Sequence, residues 1–164
     1  MRARHVLAFA VSFVLAAAVL AQAPGGAAAK SAPKKGAKGA VLMPAADMKW
    51  TALDPKAPGV MIADLWGDHT KGAFGAVNKF PAGWSTPLHT HTHDMKMVVV
   101  SGTWIHTPEG KPEVRLGPGS YMMQPGSYRH MSGCDKASEC VVFIESSGAF
   151  DMQPVDAGKA SAKK

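Results

Sequence analysis

The chain has 164 residues, 46% of them apolar and only 7% aromatic, with 18 Lys and Arg against 12 Asp and Glu and a formal net charge of +6. That length allows one domain with extensions. The charge sits at the ends, because residues 41–154 hold nine basic and eleven acidic side chains, so a basic nucleic-acid-binding face is not expected.

Met1–His5 is short and basic, and Val6–Ala21 is a run of 16 residues that is apolar except for Ser12. This is the pattern of a secretory signal peptide. A spanning helix needs about 20 apolar residues, so cleavage after Ala21 is expected and no stable membrane span remains. A cut after Ala23 would leave Pro24 at the first mature position, and no cysteine follows the run to carry a lipid anchor. Localisation is therefore read as periplasmic or secreted. Residues 22–40 carry no large apolar side chain and read as a disordered Ala/Gly/Lys linker. Residues 155–164 have the same composition and read as a disordered tail, with a charged tether as the functional alternative.

Between them, residues 41–154 form the expected domain. Short apolar or alternating runs recur at 60–66, 73–80, 95–101, 104–107, 113–116, 120–124, 129–133 and 140–146. Breakers such as Pro81-Ala-Gly83, Gly117-Pro-Gly119 and Pro125-Gly126 fall between them. Many short strands with turn chemistry at each gap predict an all-β sandwich or barrel.

His89, His91 and His93 alternate just before the strand Met95–Ser101. If that segment is extended, residues 89, 91, 93, 95 and 97 share one face, and imidazoles at i and i+2 can chelate one divalent ion. A further ligand must come from elsewhere, and His130, opening another run after a turn, is the candidate. Cys134 and Cys140 enclose a polar stretch between two apolar segments; in an oxidising compartment they can pair as a disulfide, the alternative being two separate thiols. No Cys-x-x-Cys redox motif is present.

These residues resemble the cupins, whose first motif is Gly-x5-His-x-His-x3,4-Glu-x6-Gly and whose second is Gly-x5-Pro-x-Gly-x2-His-x3-Asn. Gly83, His89, His91 and Gly102 match the first in register; Gly119, Pro125 and His130 match the second. Three positions depart: Met95 stands for the glutamate, Ser127 for the second motif's glycine and Cys134 for its asparagine. The stretch from Leu65-Trp-Gly-Asp68 through Lys79-Phe-Pro-Ala-Gly83 to Gly102 is similar to the small ChrR-like, or domain-of-unknown-function, branch.

The resemblance implies a double-stranded β-helix, the cupin jelly-roll barrel, holding a divalent metal on His89, His91 and His130. Loss of the glutamate leaves three outcomes open. A neutral three-His face with open positions suits iron and oxygen chemistry, as in the thiol and diketone dioxygenases among cupins; His93 can supply a fourth nitrogen; or the Met95 thioether can ligate copper. Iron leads, with zinc, manganese or copper as alternatives. Asp94 points away on a regular strand unless a bulge turns it. The other methionines near the site read as apolar filler.

Tyr128 and Arg129 are read as a turn tyrosine and a solvated arginine, Tyr121 as a pocket phenol or core, and His69 and His106 as surface residues. Glu145 and Asp64 are candidates to hold an imidazole tautomer. Catalytic residues are not assigned. The expected function is an exported metal-binding cupin, an enzyme of dioxygenase or other oxidoreductase type acting on a small organic molecule in a pocket lined by Trp84, Met97 and Met122. The alternative is a non-enzymatic metal or small-molecule binding or sensing module. A homodimer is a mild expectation.

Overall fold

The computed structural model describes residues 39–155. The expected signal peptide, the linker through residue 38 and the tail from residue 156 lie outside the described residues. A 3-10 turn, Ala45–Asp47, precedes eleven strands: β1 (Thr51–Ala52), β2 (Met61–Gly67), β3 (Phe74–Phe80), β4 (His89–Thr90), β5 (Met95–Ser101), β6 (Trp104–Pro108), β7 (Val114–Leu116), β8 (Tyr121–Gln124), β9 (His130–Cys134), β10 (Cys140–Ser146) and β11 (Gln153–Pro154). Among the described residues no helix is long and apolar enough to cross a membrane.

The strands form two antiparallel sheets, one ordered β1-β2-β3-β10-β5-β8 and the other β11-β4-β9-β6-β7. Alternation explains which face goes inward, since successive strand residues point to opposite sides. β5 buries Met95, Met97 and Val99 and exposes Lys96, Val98 and Val100; β10 buries Cys140, Val142, Ile144 and Ser146. β3 sends Phe74, Ala76, Asn78 and Phe80 inward. The result is the cupin jelly roll that the strand rhythm and paired motifs imply.

The two ends of the interior differ. At one end Trp104 is paired in register with Cys134, Phe80 with Cys140, and a Cys134–Cys140 disulfide joins β9 of one sheet to β10 of the other. Phe80, Trp84 and Trp104 cluster there, with ring centroids 4.5 to 5.9 Å apart. The other end of β9 begins at His130, which is paired with His89.

The motif glycines have backbone reasons. Gly102 has φ +78°, and a Cβ there would meet the Glu139 carbonyl oxygen at 2.4 Å, so this turn requires glycine. Ser127, standing where the second motif has glycine, keeps the same left-handed conformation with φ 63° and donates its N–H to the His91 carbonyl at 2.7 Å.

Candidate metal centre

β4 is short because the chain leaves one sheet after Thr90, bends at Thr92–His93 and enters β5 of the other sheet. The bend decides which histidines meet. His89 and His91 stay on the side facing β9, where His130 opens the strand opposite. One ligand nitrogen from each of His89, His91 and His130 lies within 4.8 Å of the other two. Ring centroids are 4.2 Å (His89 to His130), 4.9 Å (His89 to His91) and 5.4 Å (His91 to His130).

His93 is not in this group. The expected fourth nitrogen assumed one extended strand from 89 to 97, and the bend breaks that parity. The His93 ring instead lies against Gly148, where a Cβ would come within 2.3 Å of it. Met95 recovers the inward direction only because it begins the other sheet; its side chain is buried and lines the cavity beside the three histidines. Asp94 is exposed and accepts the Gly126 N–H.

Each of the three imidazoles has its Nδ1 tied to a backbone carbonyl: His89 donates to Pro87 at 2.8 Å, His130 to Tyr128 at 2.9 Å, and His91 to Asp151. Those bonds fix one tautomer and leave Nε2 as the free lone pair on every ring, the arrangement a metal requires. Burial pushes all three pKa values down, against the backbone bonds that raise them; His130, further depressed by the neighbouring imidazoles, falls to about 3. Near neutral pH the three rings are therefore uncharged and need lose no proton to bind a cation.

Asp151 holds its carbonyl in place through a clamp. Its carboxylate accepts the Thr92 N–H and hydroxyl, and Gln153 donates to the same carboxylate at 2.8 Å. Phe150 packs its ring 5.5 Å from His91. This segment returns some sixty residues after His91 in sequence, so no local pattern announces it.

The surrounding cavity, of about 100 Å³, is lined by the three histidines together with Phe80, Trp84, Trp104, Met97 and Met122 among others. Trp84, Met97 and Met122 thus occupy the expected walls. Gln124 is paired in register with Met95, is buried, and lines the same cavity; its Nε2 approaches the Met95 sulfur at 3.9 Å, while its Oε1 has no partner among the described residues. It was not among the residues read from the sequence, although its i+2 relation to Met122 on β8 carried the signal.

Other expectations change. His106 is buried on β6, not a surface residue: it shares the inward parity of Trp104, and its ring lies 4.8 Å from that of His130. Tyr128 stacks beside both rings. Tyr121 is 60% exposed, which excludes it as a pocket phenol or core residue. Arg129 is ion-paired with Glu109 at 2.7 Å. Neither Glu145 nor Asp64 fixes a triad tautomer, since Glu145 pairs with Lys96 and Asp64 with a half-buried His69.

A family profile described as "Domain of unknown function (DUF4437)" matches residues 28–164. The chain belongs to this cupin-like family. No curated protein matches the DUF4437 chain. Solved structures that resemble it include the polyketide cyclase RemF from Streptomyces resistomycificus (16% identity, 73% of this chain and 88% of that one, TM-score 0.60). An RmlC-like cupin from Ralstonia eutropha JMP134 shares 21% identity over 74% of this chain and 76% of its own, TM-score 0.57. The DMSP lyase DddQ from Ruegeria pomeroyi DSS-3 shares 20% identity over 70% and 60%, TM-score 0.50. At these identities the likeness establishes the cupin fold of this DUF4437 domain.

Proposed function

We propose that this DUF4437 domain is an exported metal-dependent cupin enzyme, of dioxygenase or other oxidoreductase type, acting on a small organic molecule. The observation that carries the reading is the donor set: three buried, neutral, tautomer-fixed imidazoles open onto an apolar cavity. His89, His91 and His130 would hold the ion, and the unpartnered Gln124 Oε1 offers a fourth, neutral oxygen beside the position where the motif glutamate is missing. A divalent ion so held supplies Lewis acidity and, in the case of iron, oxygen activation. The protein's own residues do the rest: Pro87, Tyr128 and Asp151 orient the rings, and Phe80, Trp84 and Trp104 give the cavity apolar walls.

Export is supported by the signal pattern and by the Cys134–Cys140 disulfide, which suits a periplasmic or extracellular setting. A homodimer is supported by the exposed apolar side chains Val98, Val100, Tyr121 and Met123 on β5 and the edge strand β8.

A second reading, a binding or sensing module, is favoured by one observation. Histidine is the one ionisable residue type among the buried residues of the lining; its carboxylate, Asp54, is only half-buried and its amine, Lys96, is exposed and paired with Glu145. Oxygen uptake and mass-spectrometric product analysis of the iron-loaded protein with small uncharged organic compounds separate the two. Turnover supports the enzyme; binding without turnover supports the module.

A further inference from the structure

The end of the cavity away from the histidines carries two buried polar groups that find no hydrogen-bond partner among the described residues. Asn78 interrupts the inward apolar stripe of β3; it is 1% exposed and its Oδ1 has no hydrogen-bond partner. Trp104 is 3% exposed and its indole Nε1 has none either. Both side chains line the same cavity as the three histidines.

Register places both toward the disulfide. Trp104 is paired with Cys134, four residues along β9 from His130, roughly 13 Å at about 3.3 Å per residue. Asn78 is paired with Val142, two residues from Cys140. Between the two ends stand Met97, Met122 and Ile144, while Phe80 and Trp84 pack beside Trp104 at the far end. The cavity therefore has a histidine end, an apolar waist and a second polar end that makes no use of a metal.

Native proteins pair nearly all buried polar atoms, and an unpaired one calls for an explanation. We propose that this cavity binds a small uncharged ligand of about one-ring size whose hydroxyl group is held by Asn78 and Trp104. The proposal names the ligand class for the site described above and rests on that reading of the cavity.

Four observations converge on this class. A hydroxyl both donates, to the Asn78 oxygen, and accepts, from the Trp104 N–H, and it satisfies the carboxamide whichever way that group is turned. The waist is thioether and aliphatic and the far end aromatic, which suits a planar apolar body. The cavity of about 100 Å³ is comparable with the roughly 150 Å³ apolar cavity that accepts benzene. The lining has two charged side chains: Asp54, an acid that accepts the Lys56 N–H, and Lys96, which is exposed and paired with Glu145. No cation is therefore available for an anionic ligand at the Asn78 end, where burying an unpaired carboxylate is strongly unfavourable.

The test uses the full chain, chelator-treated and metal-loaded in parallel, titrated with phenol, benzene and benzoate while the indole N–H resonances are followed by NMR. Phenol is expected to bind in both forms and to shift the Trp104 indole signal, identified by its disappearance in Trp104→Phe. Asn78→Leu is expected to weaken phenol about ten-fold, the loss of one hydrogen bond, and to leave benzene unchanged. Trp104→Phe keeps the ring and should weaken phenol in the same selective way, so it decides the matter if Asn78→Leu does not fold. Equal phenol and benzene affinities in wild type and variants would overturn the proposal, showing that water meets both groups, as would tightest binding of benzoate or no binding of phenol. A failed metal reading looks different: metal content would be indifferent to the triad while the phenol preference at the far end persisted.

Discussion

His89 and His130 face each other as a register pair between β4 and β9, both almost fully buried, with ring centroids 4.2 Å apart. Two imidazoles so placed cannot both accept protons cheaply. Burial lowers the pKa of His89, His91, His106 and His130, the last to about 3. A histidine whose folded pKa lies below its unfolded value of about 6.5 gives full stability above that value and loses it as pH falls toward the folded pKa, because the unfolded chain takes up the proton first. Metal-free protein is therefore expected to lose stability to urea on moving from about pH 7 to pH 5, before most carboxylates titrate. His130→Gln should flatten that slope, as parallel urea titrations at the two pH values would show.

Ser127 holds a left-handed backbone conformation at the motif's glycine position. That conformation costs a non-glycine residue roughly 1–2 kcal/mol, partly offset by the greater freedom glycine loses on folding. Ser127→Gly should stabilise the domain by about 0.5–1 kcal/mol in chemical denaturation. Destabilisation would show that the serine makes a compensating contribution.

The Cys134–Cys140 bridge closes a short loop and joins the two sheets at the aromatic end. Loop-closure entropy for so short a span corresponds to about 2 kcal/mol. The double variant Cys134→Ala, Cys140→Ala is expected to lose that much in denaturant titrations and still fold, because Phe80, Trp84 and Trp104 continue to pack there.

Gln124 presents an unpartnered oxygen to the cavity beside Met95. Gln124→Leu should weaken divalent-metal affinity by about 10-fold or more, measured by competition with a chromophoric chelator, while the three histidines still bind. Unchanged affinity would remove Gln124 from the donor set.

Much of the fold was legible because alternation is a local signal. Met95, Met97 and Val99 declare their face without help, as do the turns at Pro125-Gly126 and Gly117-Pro-Gly119. The histidine spacing likewise shows His89 and His91, and the second motif shows His130. Parity does not carry across a bend: His93 shares the spacing of His89, yet the chain changes sheets between them. His106 shows the opposite case, since its polar neighbours suggest a surface while Trp104, two residues before it on β6, points inward. Asn78 and Gln124 looked like ordinary polar residues because the unmet need of a buried amide appears only when the surrounding side chains are in place. The Asp151 carbonyl that orients His91 depends on a contact sixty positions away and has no side-chain signature at all.

The central claim is that His89, His91 and His130 hold one divalent ion. Elemental analysis of wild-type protein purified from its own compartment, beside His89→Ala and His130→Ala, tests it most directly. The account predicts about one ion per wild-type chain and its loss in both variants, with each variant shown folded by circular dichroism. Metal content unchanged by both substitutions, or a wild-type protein that takes up no divalent ion even when supplied with iron, zinc or manganese, would contradict it.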